Sequence, residues 1–156
     1  MSDDYKNFVM PSDDVLRQQL SPAQYAIAYE GGTEPPFQNA YFDYKERGLY
    51  VDVVSKYPLF GSFDKYDSGT GWPSFTHPLP GVTLQEVQDD RFGMRRIEVV
   101  SPSSGAHLGH VFDDGPIAAG GKRYCMNSAV LLFIPYAELE AGGYGEFLPL
   151  FEIKSN

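Results

Sequence analysis

A single cysteine, Cys125, stands in the segment Arg123-Tyr124-Cys125-Met126-Asn127-Ser128, ahead of the apolar run Ala129 to Ile134. If the segment starts a buried strand, alternation puts Arg123, Cys125 and Asn127 on one face. The nucleophilic form of cysteine is the thiolate, and an unperturbed thiol titrates near ~8.5, so attack near neutral pH needs activation. A guanidinium two residues away favours the thiolate. A lone cysteine is more often a small buried hydrophobe than a nucleophile, but the polar Arg123 and Asn127 beside it weigh against an inert role. Two of the three histidines lie three residues apart in His107-Leu108-Gly109-His110-Val111-Phe112-Asp113-Asp114-Gly115-Pro116. That spacing is a weak metal signal, because zinc needs at least a third protein ligand. In a regular strand the two rings would face opposite sides. A bend at Gly109 would bring them to one pocket; without it they are surface or satisfied core residues. The third histidine, His77, beside a proline, reads as a loop residue. The only tryptophan, Trp72, sits between Gly71 and Pro73 in a turn. Such a residue anchors a loop or forms an aromatic wall beside a small apolar group. These residues amount to a candidate thiolate, histidines able to act as acids, and an aromatic turn.

The elements that must hold them are mostly strands. Leu49 to Val54, Val82 to Val87, Arg96 to Val100 and Ala129 to Ile134 are β-rich runs. Turn clusters at Lys56-Tyr57-Pro58, Asp67 to Gly71, Pro78 to Gly81 and Asp113 to Pro116 separate them. This pattern predicts an antiparallel, mainly β (β-rich α+β) domain. Before it, Ser12 can cap a short helix through Leu20. Ser21-Pro22-Ala23-Gln24 combines an N-cap, a proline at the first helical position and a capping-box glutamine, and Gly31-Gly32 ends that helix. Residues 1–31 therefore read as a helical N-terminal cover on a single domain, 1–156. No repeat, linker or low-complexity stretch divides it. The tail from Tyr144 mixes aromatics with Gly and Pro, and the sequence does not fix where it packs.

The chain has 156 residues, is 15% aromatic, and carries a formal charge of −9 with a pI near 4.6. Such acidity disfavours nucleic acid, whose phosphates must be neutralised by Lys and Arg, and anionic membrane surfaces. No secretory signal or membrane-spanning run is visible, and a cytoplasmic location is expected. One cysteine excludes an intrachain disulfide and a multi-cysteine zinc site.

Taken together, three segments resemble the B-type methionine sulfoxide reductases: Ser68-Gly69-Thr70-Gly71-Trp72-Pro73-Ser74-Phe75, His107 to Phe112 with Asp114-Gly115-Pro116, and Arg123 to Ala129. Gly32-Thr33-Glu34-Pro35-Pro36-Phe37, Gly48-Leu49-Tyr50-Val51 and Pro58-Leu59-Phe60 add to the likeness, which runs from about Gly32 to Pro135. The resemblance implies two antiparallel β-sheets with short N-terminal and peripheral helices. It implies reduction of methionine-R-sulfoxide in proteins and peptides to methionine, a repair of oxidative damage. By the same resemblance Cys125 is the nucleophile and passes through a sulfenic acid. His110 is the acid for the sulfoxide oxygen, with His107 assisting. Arg123 favours the thiolate, and Asn127 orients a histidine or a water. Trp72 holds the substrate's ε-methyl group, Phe112 forms a second wall, and Asp114 orients a histidine.

Many members of that family hold a structural zinc on two C-x2-C pairs; here the matching positions are Asp52, Ser55, Ser101 and Ser104. Hydroxyls are poor zinc ligands, so no metal and no cofactor are expected. A second, resolving cysteine is replaced by Thr70. The sulfenic acid must then be reduced by an external thiol: thioredoxin, glutaredoxin with glutathione, or a small thiol. The rival readings are a Cys-His hydrolase, a non-catalytic peptide-binding module on the same scaffold, and a histidine-based metal protein.

Overall fold

Local signals at the N-terminus fold as their residues dictate in this computed structural model, which describes residues 4–154. Of the expected 1–31 cover, residues 1–3 lie outside the described residues. Helix α1 (Asp13–Gln19) is capped by the Ser12 hydroxyl, which accepts from the Val15 amide. Helix α2 (Pro22–Tyr29) has the full capping box, Ser21 and Gln24 each bonding the other's backbone amide. It stops just before Gly31-Gly32.

Among the described residues nine strands follow: β1 (Gly48–Asp52), β2 (Pro58–Gly61), β3 (Lys65–Tyr66), β4 (Ser74–Phe75), β5 (Gln85–Asp89), β6 (Arg96–Val100), β7 (His107–Phe112), β8 (Arg123–Met126) and β9 (Leu131–Pro135). They form two antiparallel sheets, a small one ordered β2-β1-β9 and a large one ordered β3-β4-β8-β7-β6-β5. This is the β-rich α+β architecture expected. One expectation fails in detail. Arg123 to Ile134 is not a single strand: the chain turns at Ser128–Val130 and crosses from the large sheet to the small one. The apolar run after Cys125 therefore does not bury the cysteine; it builds the other sheet.

The small sheet is buried on both faces, which is why β1 lacks a polar alternation. Tyr50 and Phe60 face the large sheet and pack with Phe75, Val99, Leu108 and Met126. The Phe60 and Phe75 rings stack with centroids 4.4 Å apart. Leu49 and Val51 face the other way, against Leu139, Tyr144, Phe147 and Phe151. The C-terminal segment, ending in helix α3 (Leu148–Ile153), thus packs back as a lid over the small sheet. Covering both faces of β1 removes ~1.5–3 kcal/mol worth of apolar surface per large side chain from water.

At the four positions that the resemblance matches to zinc-binding cysteines, all side chains are buried and hydrogen-bonded. Asp52 Oδ1 accepts from the amides of Val54 at 2.7 Å and Ser55 at 3.3 Å. The Ser101 hydroxyl accepts from the amides of Ser103 and Ser104. The Ser104 hydroxyl donates to Asp52 Oδ2 at 2.6 Å, joining the β1–β2 turn to the β6–β7 turn. One side-chain hydrogen bond thereby ties the two sheets together. These side chains do not suit zinc, and among the described residues no group of three or more His, Cys, Asp and Glu is arranged to hold a metal.

Candidate active site

Cys125 lies on the face of the large sheet turned away from the core. Its strand β8 pairs with β7 so that Cys125 stands directly opposite His110, Tyr124 opposite Val111 and Arg123 opposite Phe112. Directly paired residues point the same way, so Cys125, His110, Arg123 and Phe112 share one face while Tyr124 and Val111 enter the core. On its other side Cys125 pairs with Ser74 of β4.

The two histidines reach the same face through a bulge. Val99 pairs with Gly109 and Val100 with His107, leaving Leu108 as an extra residue in β7. An inserted residue resets the alternation. Leu108 and Val111 both enter the core, and His107 and His110 come together with ring centroids 5.3 Å apart. The bend near Gly109 that the spacing required is this bulge. Gly109 has a further reason to be glycine: a Cβ there would lie 2.0 Å from the Cys125 carbonyl oxygen.

Only His110 lines the cavity that holds Cys125. That cavity, about 100 Å³, is bounded by Cys125, His110, Trp72, Phe112, Asn127 and Arg96, with Thr33 at its edge. Its volume corresponds to roughly three waters, the scale of a methyl-sulfinyl group. His107 is buried behind His110, its Nδ1 2.7 Å from Glu98 Oε2. A larger hollow of about 700 Å³ between α2 and the 33–41 loop contains neither the thiol nor a histidine.

Charge partners around the histidines come from strands the sequence reading did not connect. His110 Nε2 sits 2.8 Å from Asp89 Oδ2. Asp89, at the end of β5, is buried and clasped by Arg91 through two guanidinium bonds of 3.0 Å each and by the Arg91 amide. Arg91, then His110, hold the Asp89 carboxyl far below the usual carboxylate range. Burial pushes the His110 imidazole down, against the opposing pull of Asp89. With Nε2 committed to a carboxylate, the neutral ring carries its proton there and leaves Nδ1 free.

The Cys125 thiol is pushed up, chiefly by burial. The Arg123 charge, then the nearby Thr70 hydroxyl, favour the thiolate, as expected of Arg123, but they do not outweigh desolvation. Part of the reason is Asp114. It does not orient a histidine; its carboxylate takes the Arg123 guanidinium in a two-pronged pair at 2.8 and 3.0 Å and shares its charge. The β7–β8 hairpin brings Asp114 to Arg123 and away from the cavity of Cys125. The Arg123 guanidinium also stacks on Phe112, 4.3 Å from the ring centroid, which fixes that wall of the cavity.

Trp72 is aimed by its neighbours. Its indole N–H donates to the Glu34 carbonyl at 3.0 Å. Gly71, at φ 90°, packs so closely on Phe37 and Pro36 that a side chain would not fit. Asn127 lines the cavity but bonds no histidine. Its side chain accepts from the Glu34 amide at 3.2 Å and donates to the Leu108 carbonyl at 3.3 Å, tying the tryptophan's support to the bulge. The Glu34 carboxylate in turn accepts from the amides of Ser128 and Ala129. Asp89, Glu98, Arg96 and Glu34 are the site residues that sequence reasoning missed. Arg96 is notable because its buried Nε–H has no hydrogen-bond partner among the described residues.

The family model described as SelR domain matches residues 20–135. The peptide methionine sulfoxide reductase MsrA/MsrB of Vibrio cholerae serotype O1 is 53% identical over 147 residues, 94% of this chain. The chain spans 39% of the length of that relative.

Proposed function

The chain belongs to the SelR family, the B-type methionine sulfoxide reductases, and from that premise we propose that it reduces methionine-R-sulfoxide in proteins and peptides through Cys125. The observation that carries this reading is the register that sets Cys125 opposite His110 in one small cavity walled by Trp72 and Phe112. The aromatic walls suit the substrate's methyl group and sulfur.

Burial keeps the thiol protonated and the His110 imidazole neutral at rest. As the thiol sulfur attacks the sulfoxide sulfur, its proton passes to the free nitrogen of His110 and from there to the sulfoxide oxygen. The oxygen leaves with the cysteine sulfur as a sulfenic acid, and methionine departs. The proton lost by the thiol is the one gained by oxygen, so the step is balanced without an outside acid. Asp89 holds the ring orientation and stabilises the imidazolium formed in passing. Arg123 and Thr70 steady the thiolate as it forms. Two equivalents of an external thiol then return Cys125 to the thiol, yielding a disulfide and water.

The test is turnover of a peptide carrying each separated sulfoxide epimer, with dithiothreitol as reductant and Cys125→Ser as control. The reading expects conversion of the R epimer alone, abolished in the control. No turnover of either epimer by folded, reduced protein would overturn it in favour of a peptide-binding module.

A further inference from the structure

Among the described residues that line the cavity of Cys125, Arg96 is the only Lys, Arg, Asp or Glu. It opens β6, whose Glu98 pairs with His110. Alternate residues of a strand share a face, so Arg96 stands on the face of His110 and Cys125. On the other edge of β6 it pairs directly with Asp89, yet that carboxylate does not hold it. Arg96 Nη2 is 3.5 Å from Asp89 Oδ2, an oxygen already taken by His110 Nε2 at 2.8 Å and Arg91 Nη2 at 3.0 Å. The Arg96 Nε–H has no hydrogen-bond partner among the described residues. The side chain is 21% exposed, so it is not sealed from the cavity that it lines. Arg123 differs on each count: it is bonded twice to Asp114, stacked on Phe112, and absent from the cavity lining.

A sulfoxide entering this cavity needs a donor that His110 does not supply at rest. Its S–O bond is strongly polarised, and the oxygen is a hydrogen-bond acceptor. The neutral His110 ring holds its proton on Nε2, against Asp89, and its free Nδ1 is itself an acceptor. The Trp72 N–H is committed to the Glu34 carbonyl, and the Asn127 amide is engaged by Glu34 and Leu108. As the Cys125 sulfur bonds the substrate sulfur, negative charge gathers on the oxygen before His110 has delivered a proton. A fixed cationic donor stabilises such charge most in a small site shielded from water.

Resting on the reductase reading, we propose that Arg96 is a further catalytic residue, whose guanidinium donates to the sulfoxide oxygen and stabilises the charge that gathers there. Arg96 gives up no proton, because a guanidinium stays protonated in proteins. The proton still comes from the thiol through His110. The substrate's S–O bond breaks, and the oxygen ends on the Cys125 sulfur as the sulfenic acid. Cys125 is oxidised and the substrate sulfur is reduced to the thioether.

Two measurements test this. In the first, one equivalent of R-sulfoxide peptide is added without reductant, and the rate of methionine release is followed across pH. Arg96→Met and Arg96→Gln keep an unbranched stem without the charge. Both should lower the plateau rate about 100- to 1000-fold. Each also removes a charge that pushes His110 down, so the rising limb should move to higher pH. If Arg96 only tuned His110, the limb would move and the plateau would stay; that result would overturn the proposal.

The second measurement is binding, read from the fluorescence of Trp72, the only tryptophan, in Cys125→Ser protein. The R-sulfoxide peptide should bind more tightly than the same peptide carrying methionine. Adding Arg96→Met or Arg96→Gln should cut that advantage about ten-fold or more, with affinity for the methionine peptide unchanged. The unchanged affinity shows that the cavity is still folded. Equal loss for both peptides would make Arg96 a mere wall of the cavity, and no loss for either would make it a bystander; both results would overturn the proposal. Absence of methionine release from the wild-type chain is seen before any Arg96 variant is compared and would instead sink the reductase reading.

Discussion

Replacing Ser104 by alanine should weaken the whole fold, although Ser104 belongs to neither sheet nor active site. Its hydroxyl donates at 2.6 Å to Asp52 Oδ2 and accepts from the Ala106 amide at 3.2 Å. Asp52 is completely buried and Ser104 nearly so. The Asp52 carboxylate keeps its two amide donors on Oδ1, but Oδ2 loses the partner that joins it to the other sheet. A hydrogen bond to a charged group is worth about 1.5–3 kcal/mol, and leaving a buried acceptor unmet costs a similar amount. Since the two figures describe one loss, the expected destabilisation is about 2–3 kcal/mol, or ~1 if a water refills the gap. For a chain of this length that lowers Tm by roughly 4–12 °C. Urea unfolding followed by far-UV circular dichroism should show a lower midpoint with an unchanged m-value. Ser103→Ala, one residue away and outside the staple, should stay within ~0.5 kcal/mol of wild type. If Ser104→Ala also stays within that margin, the idea that this bond ties the sheets in place of a metal is wrong.

Two further outcomes follow from the site. Asp89→Asn removes the group that opposes the downward push of burial on His110, so His110 should titrate at still lower pH. Because the neutral ring receives the thiol proton, the rising limb of single-turnover methionine release against pH should move to lower pH. Its plateau should fall about 10- to 100-fold, as the ring becomes a weaker base and loses its fixed tautomer; a limb that moves upward would contradict the assignment. Gly109→Ala forces a methyl into the Cys125 carbonyl, so β7 and β8 must separate. Amide hydrogen exchange should rise across both strands, and methionine release should be lost even where the rest of the chain stays folded.

The helices and the chemistry-bearing segments were legible in the sequence because their signals are local. Ser12, Ser21, Pro22 and Gln24 act within one turn of where they stand, and the Cys125, Trp72 and His110 segments keep their spacing whatever the fold. What escaped depends on register between distant strands. Nothing near His110 announces Asp89, which reaches it only because β5, β6 and β7 pair in one alignment. The bulge at Leu108 is invisible until Val99 and Val100 are seen to pair with Gly109 and His107. The resemblance gives Asp114 to a histidine, whereas the hairpin delivers it to Arg123. The apolar residues after Asn127 look continuous with Cys125 because periodicity cannot show a chain leaving one sheet for another.

The central claim is that oxygen moves from substrate sulfur to Cys125. Its most direct test is mass analysis of the protein after one equivalent of R-sulfoxide peptide and no reductant. The account predicts one methionine released per chain and one added oxygen, mapped to Cys125 and removed by thiol. Methionine release with Cys125 unmodified, or oxygen found on another residue, would contradict it.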